Sequence, residues 1–237
     1  MSGHSKWSTI KHKKASTDQK RADAFSKIAR AITVAARGGG DVETNYELRS
    51  VVEKAKNANM PKDNIERAIK KGTGELGGEH LEELLIEAYG PDGVAFLITG
   101  VTDNKNRTAA EIRHLLSRYG GKIATEGSVQ WLFEQQGVVR IILPPTESKD
   151  EFELLAIDQG ATDIAWEDTT AFIYTTRDDL QTTQQSLAHQ GYTGPASLEW
   201  VPKNSVSTSE KTQTTIQKLF EALDDNNDIQ DVYTNAE

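Results

Sequence analysis

Apolar residues in the first part of the chain recur at the spacing of amphipathic helices. The first helix is predicted over about residues 16–37, where Phe25, Ile28, Ile32 and Ala36 share one face at ~100° per residue. Two shorter helices with the same pattern are predicted over about 45–58 and 61–71, and glycines follow the first and third of them. The pattern therefore predicts an N-terminal three-helix bundle.

After residue 80 the apolar residues form short runs separated by turns, which indicates strands alternating with helices. The first such segment predicts strands over 84–89, 94–101 and 129–133, with a helix over 107–119. Residues 138–201 then follow the order β-α-β-β-α-β, with strands at 138–143, 162–166, 170–175 and 198–201 and helices at 147–159 and 178–190. That order is typical of the ferredoxin-like split βαβ fold. The tail adds a helix over 209–223 and a strand over 231–234.

The segment 80–133 has too few strands to close a sheet, and the tail offers the missing helix and strand. We therefore predict an α+β, multi-domain fold, in which a three-helix bundle precedes two ferredoxin-like α/β domains and the third domain is inserted into the second. The predicted domains are 1–78 for a basic arm and the bundle, 79–134 plus 202–237 for the second domain, and 135–201 for the inserted one.

The stretch Gly72–Gly78 is predicted to be a hinge between the bundle and the second domain. It also matches the pattern G-x-G-x-x-G. A dinucleotide-binding loop of that pattern follows a strand and opens a helix, whereas a helix precedes it here. Glu75 would also place a carboxylate where a pyrophosphate should bind, which favours the hinge.

Charge is sharply segregated along the sequence. The chain has 27 basic and 36 acidic residues and a formal net charge of −9. From Lys6 to Arg37 nine basic residues face two acidic ones, whereas residues 81–237 hold 11 basic and 26 acidic residues. This segregation predicts that one end meets a polyanion, with local and strongly salt-dependent binding.

Composition also excludes several classes of function. The chain has no cysteine, which removes disulfides and thiolate metal sites and fits a reducing compartment. No apolar run approaches the ~18–20 residues of a membrane span, and no apolar stretch follows the basic N-terminus as in a secretory signal. We therefore expect a cytoplasmic protein with no membrane partner.

The sequence offers little for catalysis. The five histidines show no metal-binding spacing, and neither a phosphate-binding loop nor a nucleophile elbow occurs. The adjacent carboxylate pairs, such as Asp224 and Asp225, diverge along a helix or strand and are better explained as a solvated acidic face. We expect no enzyme, no catalytic residue, no metal and no cofactor. A convergent active site would be needed to overturn that expectation.

Candidate nucleic-acid contacts occur in three places. The arm over residues 2–15 either orders on a partner or is a frayed terminus with Trp7 packed on the body. The helices present cations on the faces opposite their apolar residues. The loop 102–108 puts Lys105 and Arg107 at a helix N-terminus, where anions are favoured, although its polar residues would also simply cap the helix. The residues proposed to contact nucleic acid are Lys6, Trp7, Lys11, His12, Lys13, Lys14, Lys20, Arg21, Lys27, Arg30, Arg67, Lys70, Lys71, Lys105 and Arg107.

Several segments spread over the whole chain resemble the YebC/PmpR family. They are Gly3–Trp7, Ile10–Lys14, Asn59–Gly74, Tyr89–Pro91, Thr102–Thr108, Thr125–Ser128 and Asp231–Asn235. The resemblance implies a helical N-terminal domain followed by two α/β domains. It also implies a probable DNA-binding transcriptional regulator or, as for a mitochondrial relative, a ribosome-associated translation factor that helps peptide-bond formation at difficult sequences such as proline runs. The sequence departs from the family pattern mainly over 181–197.

Two functional hypotheses stay open, and both describe a non-enzymatic regulator of gene expression that binds nucleic acid. A transcription factor on promoter DNA is favoured by the second and third helices, which meet around Asn57–Pro61 in a helix-turn-helix-like arrangement. A translation factor on ribosomal RNA or tRNA, with the ribosome as a candidate partner, is favoured by the Lys/His/Trp composition of the arm and by separated basic spots.

Overall fold

The computed structural model describes residues 18–77 and 80–237. In these residues the helices are α1 (Asp18–Ala35), α2 (Tyr46–Asn57), α3 (Lys62–Gly72), α4 (Lys105–Arg118), α5 (Lys149–Asp158), α6 (Leu180–His189) and α7 (Glu210–Asp224). The strands are β1 (Glu82–Tyr89), β2 (Ala95–Thr102), β3 (Lys122–Ile123), β4 (Phe133–Ile142), β5 (Asp163–Glu167), β6 (Thr170–Thr175), β7 (Ala196–Pro202) and β8 (Ile229–Thr234). The chain is thus a mixed α/β protein.

Helices α1, α2 and α3 pack around one apolar core. Ile32, Leu48 and Ala55 are fully buried in it, as the helical spacing predicts. Asn45 caps α2 by accepting a hydrogen bond from the Leu48 amide at 3.0 Å. The Asn45 side-chain amide also donates to the carbonyls of Ala35 and Gly39, each at 2.8 Å, which ties the start of α2 to the end of α1.

Gly72 closes α3 at a point of close helix contact. A Cβ atom there would lie 2.3 Å from the Thr33 carbonyl oxygen and 2.6 Å from the Ala36 Cβ. Since backbone cannot move aside as a flexible side chain can, the packing of α3 on α1 needs glycine at this position. The first residue of the stretch predicted as a hinge is therefore a packing residue, and the last one, Gly78, lies outside the described residues.

Strands β1, β2, β3 and β8 form sheet A, in the order β3-β1-β2-β8 with every pair antiparallel. Helices α4 and α7 pack on its apolar face, with Phe96, Ile112 and Leu219 fully buried between them. Because β8 pairs with β2, sheet A combines strands that come before sheet B in the sequence with one strand that comes after it.

Strands β4, β5, β6 and β7 form sheet B, in the order β5-β6-β4-β7, again antiparallel throughout. With α5 after β4 and α6 after β6, this is the strand order of a split βαβ unit. Phe152, Ile173 and Leu187 fill the core between the sheet and the two helices.

The strand predicted over 129–133 is wrong. Residues Gln130–Leu132 form a 3₁₀ turn, and Phe133 begins the ten-residue β4 of sheet B. The buried carboxylate of Glu87 accepts hydrogen bonds from the backbone amides of Gly127, Val129 and Gln130, so these amides are not available to a sheet. The third strand of sheet A is instead β3, which has two residues and is too short to give a pattern.

The helical segment contacts both sheets. Arg37 donates from its guanidinium to the Leu81 carbonyl at 2.5 Å, next to sheet A. On the sheet B side, the Ser50 hydroxyl donates to the Ala196 carbonyl at 3.4 Å, and Tyr46 packs against the core under α6. Among the described helices, none is long and apolar enough to cross a membrane.

Candidate nucleic-acid interface

Helix α3 presents an exposed cationic surface. Arg67, Lys70 and Lys71 are all exposed, and their spacing of three and four residues puts them on one side of the helix. The opposite side buries Ile65 and Ala68, as the sequence predicts. Within residues 18–77 and 80–237, none of these three cations forms an ion pair with a carboxylate; we call them the α3 surface.

The part of the polar face of α1 that carries Lys27 and Arg30 is covered by the chain itself. Lys27 and Arg30 lie opposite the apolar face of α1, where the helical spacing puts them. The Lys27 ammonium contacts the Asp224 carbonyl and lies 3.3 Å from its carboxylate. Arg30 pairs with the Asp228 carboxylate and donates to the Val101 carbonyl at 3.3 Å. These two predicted nucleic-acid contacts therefore already hold the turn between α7 and β8.

Asp228 is the centre of this contact. Asp228 is only 4% exposed to solvent. The Oδ2 atom of Asp228 accepts hydrogen bonds from the Thr108 hydroxyl at 2.6 Å, the Arg107 guanidinium at 2.8 Å and the Thr102 hydroxyl at 3.0 Å. With Arg30 on Oδ1, the carboxylate joins α1, the end of β2 and the first turn of α4.

The electrostatics of this cluster favour the ionised carboxylate. Burial by itself raises the pKa of Asp228, but the hydrogen bonds from Thr108, Arg107, Arg30 and Thr102 outweigh burial and lower that pKa from 3.8 to about 2. The same hydrogen bond raises the pKa of Arg107, with a second contribution from Asp103. The ion pairs and hydrogen bonds of this cluster thus join the helical segment to sheet A.

The loop 102–108 is organised mainly by helix capping. The side-chain oxygen of Asn104 accepts a hydrogen bond from the backbone amide of Arg107 at 3.1 Å. The backbone amide of Asn104 donates to the Thr102 hydroxyl at 2.9 Å. Besides Asp228, the half-exposed Arg107 side chain pairs with Asp103 at 2.6 Å. Lys105 pairs with Glu82 at 2.9 Å, and its hydrogen bond is the main cause of the lowered pKa of Glu82. Both cations predicted here as phosphate contacts have carboxylate partners in the chain.

The remaining predicted contacts divide into two groups. Arg21 is exposed on the first turns of α1. The arm residues Lys6, Trp7, Lys11, His12, Lys13 and Lys14 lie outside the described residues, as does the side chain of Lys20. Among the described residues, no group of three or more histidines, aspartates or glutamates could hold a metal ion.

Sequence reasoning missed Asp224 and Asp228 as the partners of α1. The sequence predicts Asp224 on a solvated acidic face, because adjacent carboxylates such as Asp224 and Asp225 diverge along a helix or strand. Nothing in the local pattern marks a carboxylate whose partner lies 197 or 198 residues away in the chain. Trp131, which the sequence predicts in a strand, is instead 65% exposed beside the loop held by Glu87.

The fold and the surface together define the class of protein. It is a mixed α/β protein in which a helical segment with exposed cations is joined by ion pairs to acidic α/β units. Two family models match the chain. One describes the TACO1/YebC N-terminal domain and covers residues 5–75; the other describes the second and third domain of TACO1/YebC and covers residues 81–236. The chain belongs to the TACO1/YebC family, which confirms the resemblance read from its motifs.

Similar proteins agree with this assignment. A probable transcriptional regulatory protein of Fervidobacterium nodosum is 50% identical over 99% of this chain and 93% of its own length. A protein of the same description from Petrotoga mobilis is 50% identical over 100% of this chain and 95% of its own. The crystal structure of a conserved hypothetical protein from Aquifex aeolicus matches with a TM-score of 0.87 and 42% identity, covering 96% of this chain and 95% of that one.

Proposed function

We propose that this protein is a non-enzymatic regulator of gene expression in the cytoplasm that binds nucleic acid through the α3 surface and the N-terminal arm. The main support is that Arg67, Lys70 and Lys71 are exposed and have no carboxylate partner in the described chain. Four other described cations do have carboxylate partners: Lys27, Arg30, Lys105 and Arg107. Unpaired, exposed cations at helical spacing suit the phosphates of a nucleic-acid backbone. The names of the relatives support regulation as the role.

We further propose that the three segments act as separate units with the boundaries predicted from the sequence: 1–78 as a three-helix unit with its arm, 79–134 plus 202–237, and an inserted 135–201. The helical unit would carry the nucleic-acid contacts. The return of β8 to sheet A after sheet B supports the insertion.

Promoter DNA is the ligand that the relatives' names favour, and ribosomal RNA or tRNA is a second candidate. The observation favouring RNA is the composition of α3. Its exposed residues are the cations Lys62, Arg67, Lys70 and Lys71 and the acidic residues Asp63 and Glu66, and Asn64, the only side-chain amide of α3, is half-buried. A helix that reads bases in the major groove commonly exposes Asn, Gln or Arg in sets that pair with base edges. Backbone contacts without such a set suit recognition of a shaped RNA.

The test is binding of two labelled probes, a 20-base-pair DNA duplex and an RNA hairpin with a stem of similar length, at several salt concentrations. Replacing Arg67, Lys70 and Lys71 together by alanine should weaken binding and flatten the plot of log K against log salt by ~2–3 counterions. The matched control replaces Arg113, Lys211 and Lys218, which are exposed in the acidic part of the chain, and removes the same charge. Equal losses in the two triple variants would refute a specific role for α3. Tighter binding of the hairpin would select RNA over DNA.

The arm is tested by a separate variant. Replacing Lys11, Lys13 and Lys14 by alanine should also lower the salt slope by up to ~2–3 counterions, because each lysine that neutralises a phosphate releases about one counterion. An unchanged slope would show that these three lysines do not contact the probe.

A further inference from the structure

Helix α5 is apolar on both sides. Phe152 and Ala156 face the core of sheet B and are buried. On the other side, Leu154 is 68% exposed and Ile157 is 57% exposed. Residues three apart on a helix are neighbours, so these two large aliphatic side chains form one exposed ridge. A surface helix of a domain ordinarily places polar residues there.

Carboxylates surround this ridge. Asp150 and Asp158 lie one turn before and one turn after Leu154 and are exposed, as is Glu151 in the first turn. The one cation of α5, Lys149, is directed away: its ammonium donates to the Asp168 carbonyl at 2.7 Å and lies 4.5 Å from the centre of the Trp166 ring. The ridge therefore has an anionic rim.

This combination restricts the kind of partner. Nucleic acid is disfavoured because its phosphates would face the carboxylates of α5. Pairing of the same face between two copies is disfavoured for the same reason, since Asp150, Glu151 and Asp158 would oppose one another. A protein segment that carries apolar anchors flanked by Lys or Arg matches both the ridge and its rim.

We propose that the exposed face of α5 is a docking site for a basic amphipathic helix of another protein. The partner's apolar residues at positions i, i+3, i+4 and i+7 would cover Leu154 and Ile157, and its flanking cations would pair with Asp150 and Asp158. The face belongs to the sheet B unit, whereas the α3 surface belongs to the helical segment. The protein thus has separate surfaces for a polyanion and for a cationic protein.

The test uses the full chain and a labelled 18-residue peptide with leucines at i, i+3, i+4 and i+7 and lysines flanking them. The probe for specificity is a scrambled peptide of the same composition. Replacing Leu154 and Ile157 together by serine should weaken peptide binding about tenfold. Replacing Asp150 and Asp158 by asparagine should weaken the salt dependence of binding, because it removes two of the carboxylates that attract the lysines of the peptide. The matched control replaces Leu76 and Val206, which are exposed apolar residues elsewhere, by serine.

Equal affinity for the scrambled peptide would refute the proposal, because it would mean unspecific charge attraction. A photo-crosslinking amino acid at position 154 in living cells then identifies what covers the ridge. A crosslinked peptide that combines apolar residues with Lys or Arg supports the proposal. A crosslink to a second copy of this chain, a crosslink to nucleic acid, or no crosslink would overturn it. Binding of the duplex and hairpin probes should be unchanged in the Leu154/Ile157 variant.

Discussion

Replacing Asp228 by asparagine should loosen the attachment of α1 to sheet A. The substitution keeps the size of the side chain but removes the charge that Arg30 and Arg107 both contact. It also places an amide group, which is a donor, where the carboxylate accepts hydrogen bonds from Thr102 and Thr108. The two arginines would then lie next to each other without their shared counter-charge.

The magnitude follows from the pKa of Asp228. A fall from 3.8 in the unfolded chain to about 2 in the folded one corresponds to about 2 kcal/mol of stabilisation at pH 7. Because the pKa is lower in the folded state, this contribution is complete above the unfolded value and is lost as the pH falls through about 2. At pH 3 about half of it, roughly 1 kcal/mol, should remain.

The assay is urea unfolding followed by circular dichroism, for the wild type and the variant at pH 7 and pH 3. The matched control is Asp225→Asn, at an exposed position three residues away that follows α7. Asp228→Asn should lower the free energy of unfolding by about 2–3 kcal/mol at pH 7 and by about half as much at pH 3. The reasoning is refuted if the two variants differ by less than ~0.5 kcal/mol at pH 7, or if the loss does not shrink at pH 3.

Two further substitutions test the packing around the units. Glu87→Gln should cost about 2 kcal/mol and speed amide hydrogen exchange at Val129 and Gln130, because one amide oxygen cannot replace a carboxylate that accepts three backbone hydrogen bonds; unchanged exchange there would contradict this role. Gly72→Ala should lower Tm by an amount equivalent to ~1–3 kcal/mol, since its methyl group would collide with the Thr33 carbonyl. Gly77→Ala, where a Cβ meets nothing within 4 Å, is the control; equal Tm values in the two variants would show that α3 can move.

The elements that the sequence predicts well are those whose own residues carry a regular apolar pattern. Strand β6 was predicted over 170–175, which are its bounds, and α2 was predicted within one residue at each end. Strand β3 could not be found, because two residues contain no period. The turn at 130–132 was mistaken for a strand, since its shape depends on the distant carboxylate of Glu87 rather than on its own residues.

The candidate site likewise has one part that could be predicted from the sequence and one part that could not. That Arg67, Lys70 and Lys71 lie opposite the buried side of α3 could be predicted, because both faces belong to one helix. That Lys27 and Arg30 lie opposite the apolar side of α1 could be predicted in the same way. What covers that face could not, since Asp224 and Asp228 come from the far end of the chain.

Not every cation of the basic N-terminal part is therefore available to bind phosphates. Some of these cations hold the helical segment on sheet A, and using Lys27 or Arg30 for phosphates would first require breaking their contacts with Asp224 and Asp228. Asp228 would then be left buried beside Arg107 with one counter-charge fewer, which is costly. If each of its three cations contacts one phosphate, the proposed α3 surface would account for a salt slope of about −2.7 on duplex DNA, at ~0.9 per phosphate. A steeper measured slope would then indicate cations outside the α3 surface, first of all the lysines of the arm, and the Lys11/Lys13/Lys14 variant should remove that excess and leave the α3 share intact.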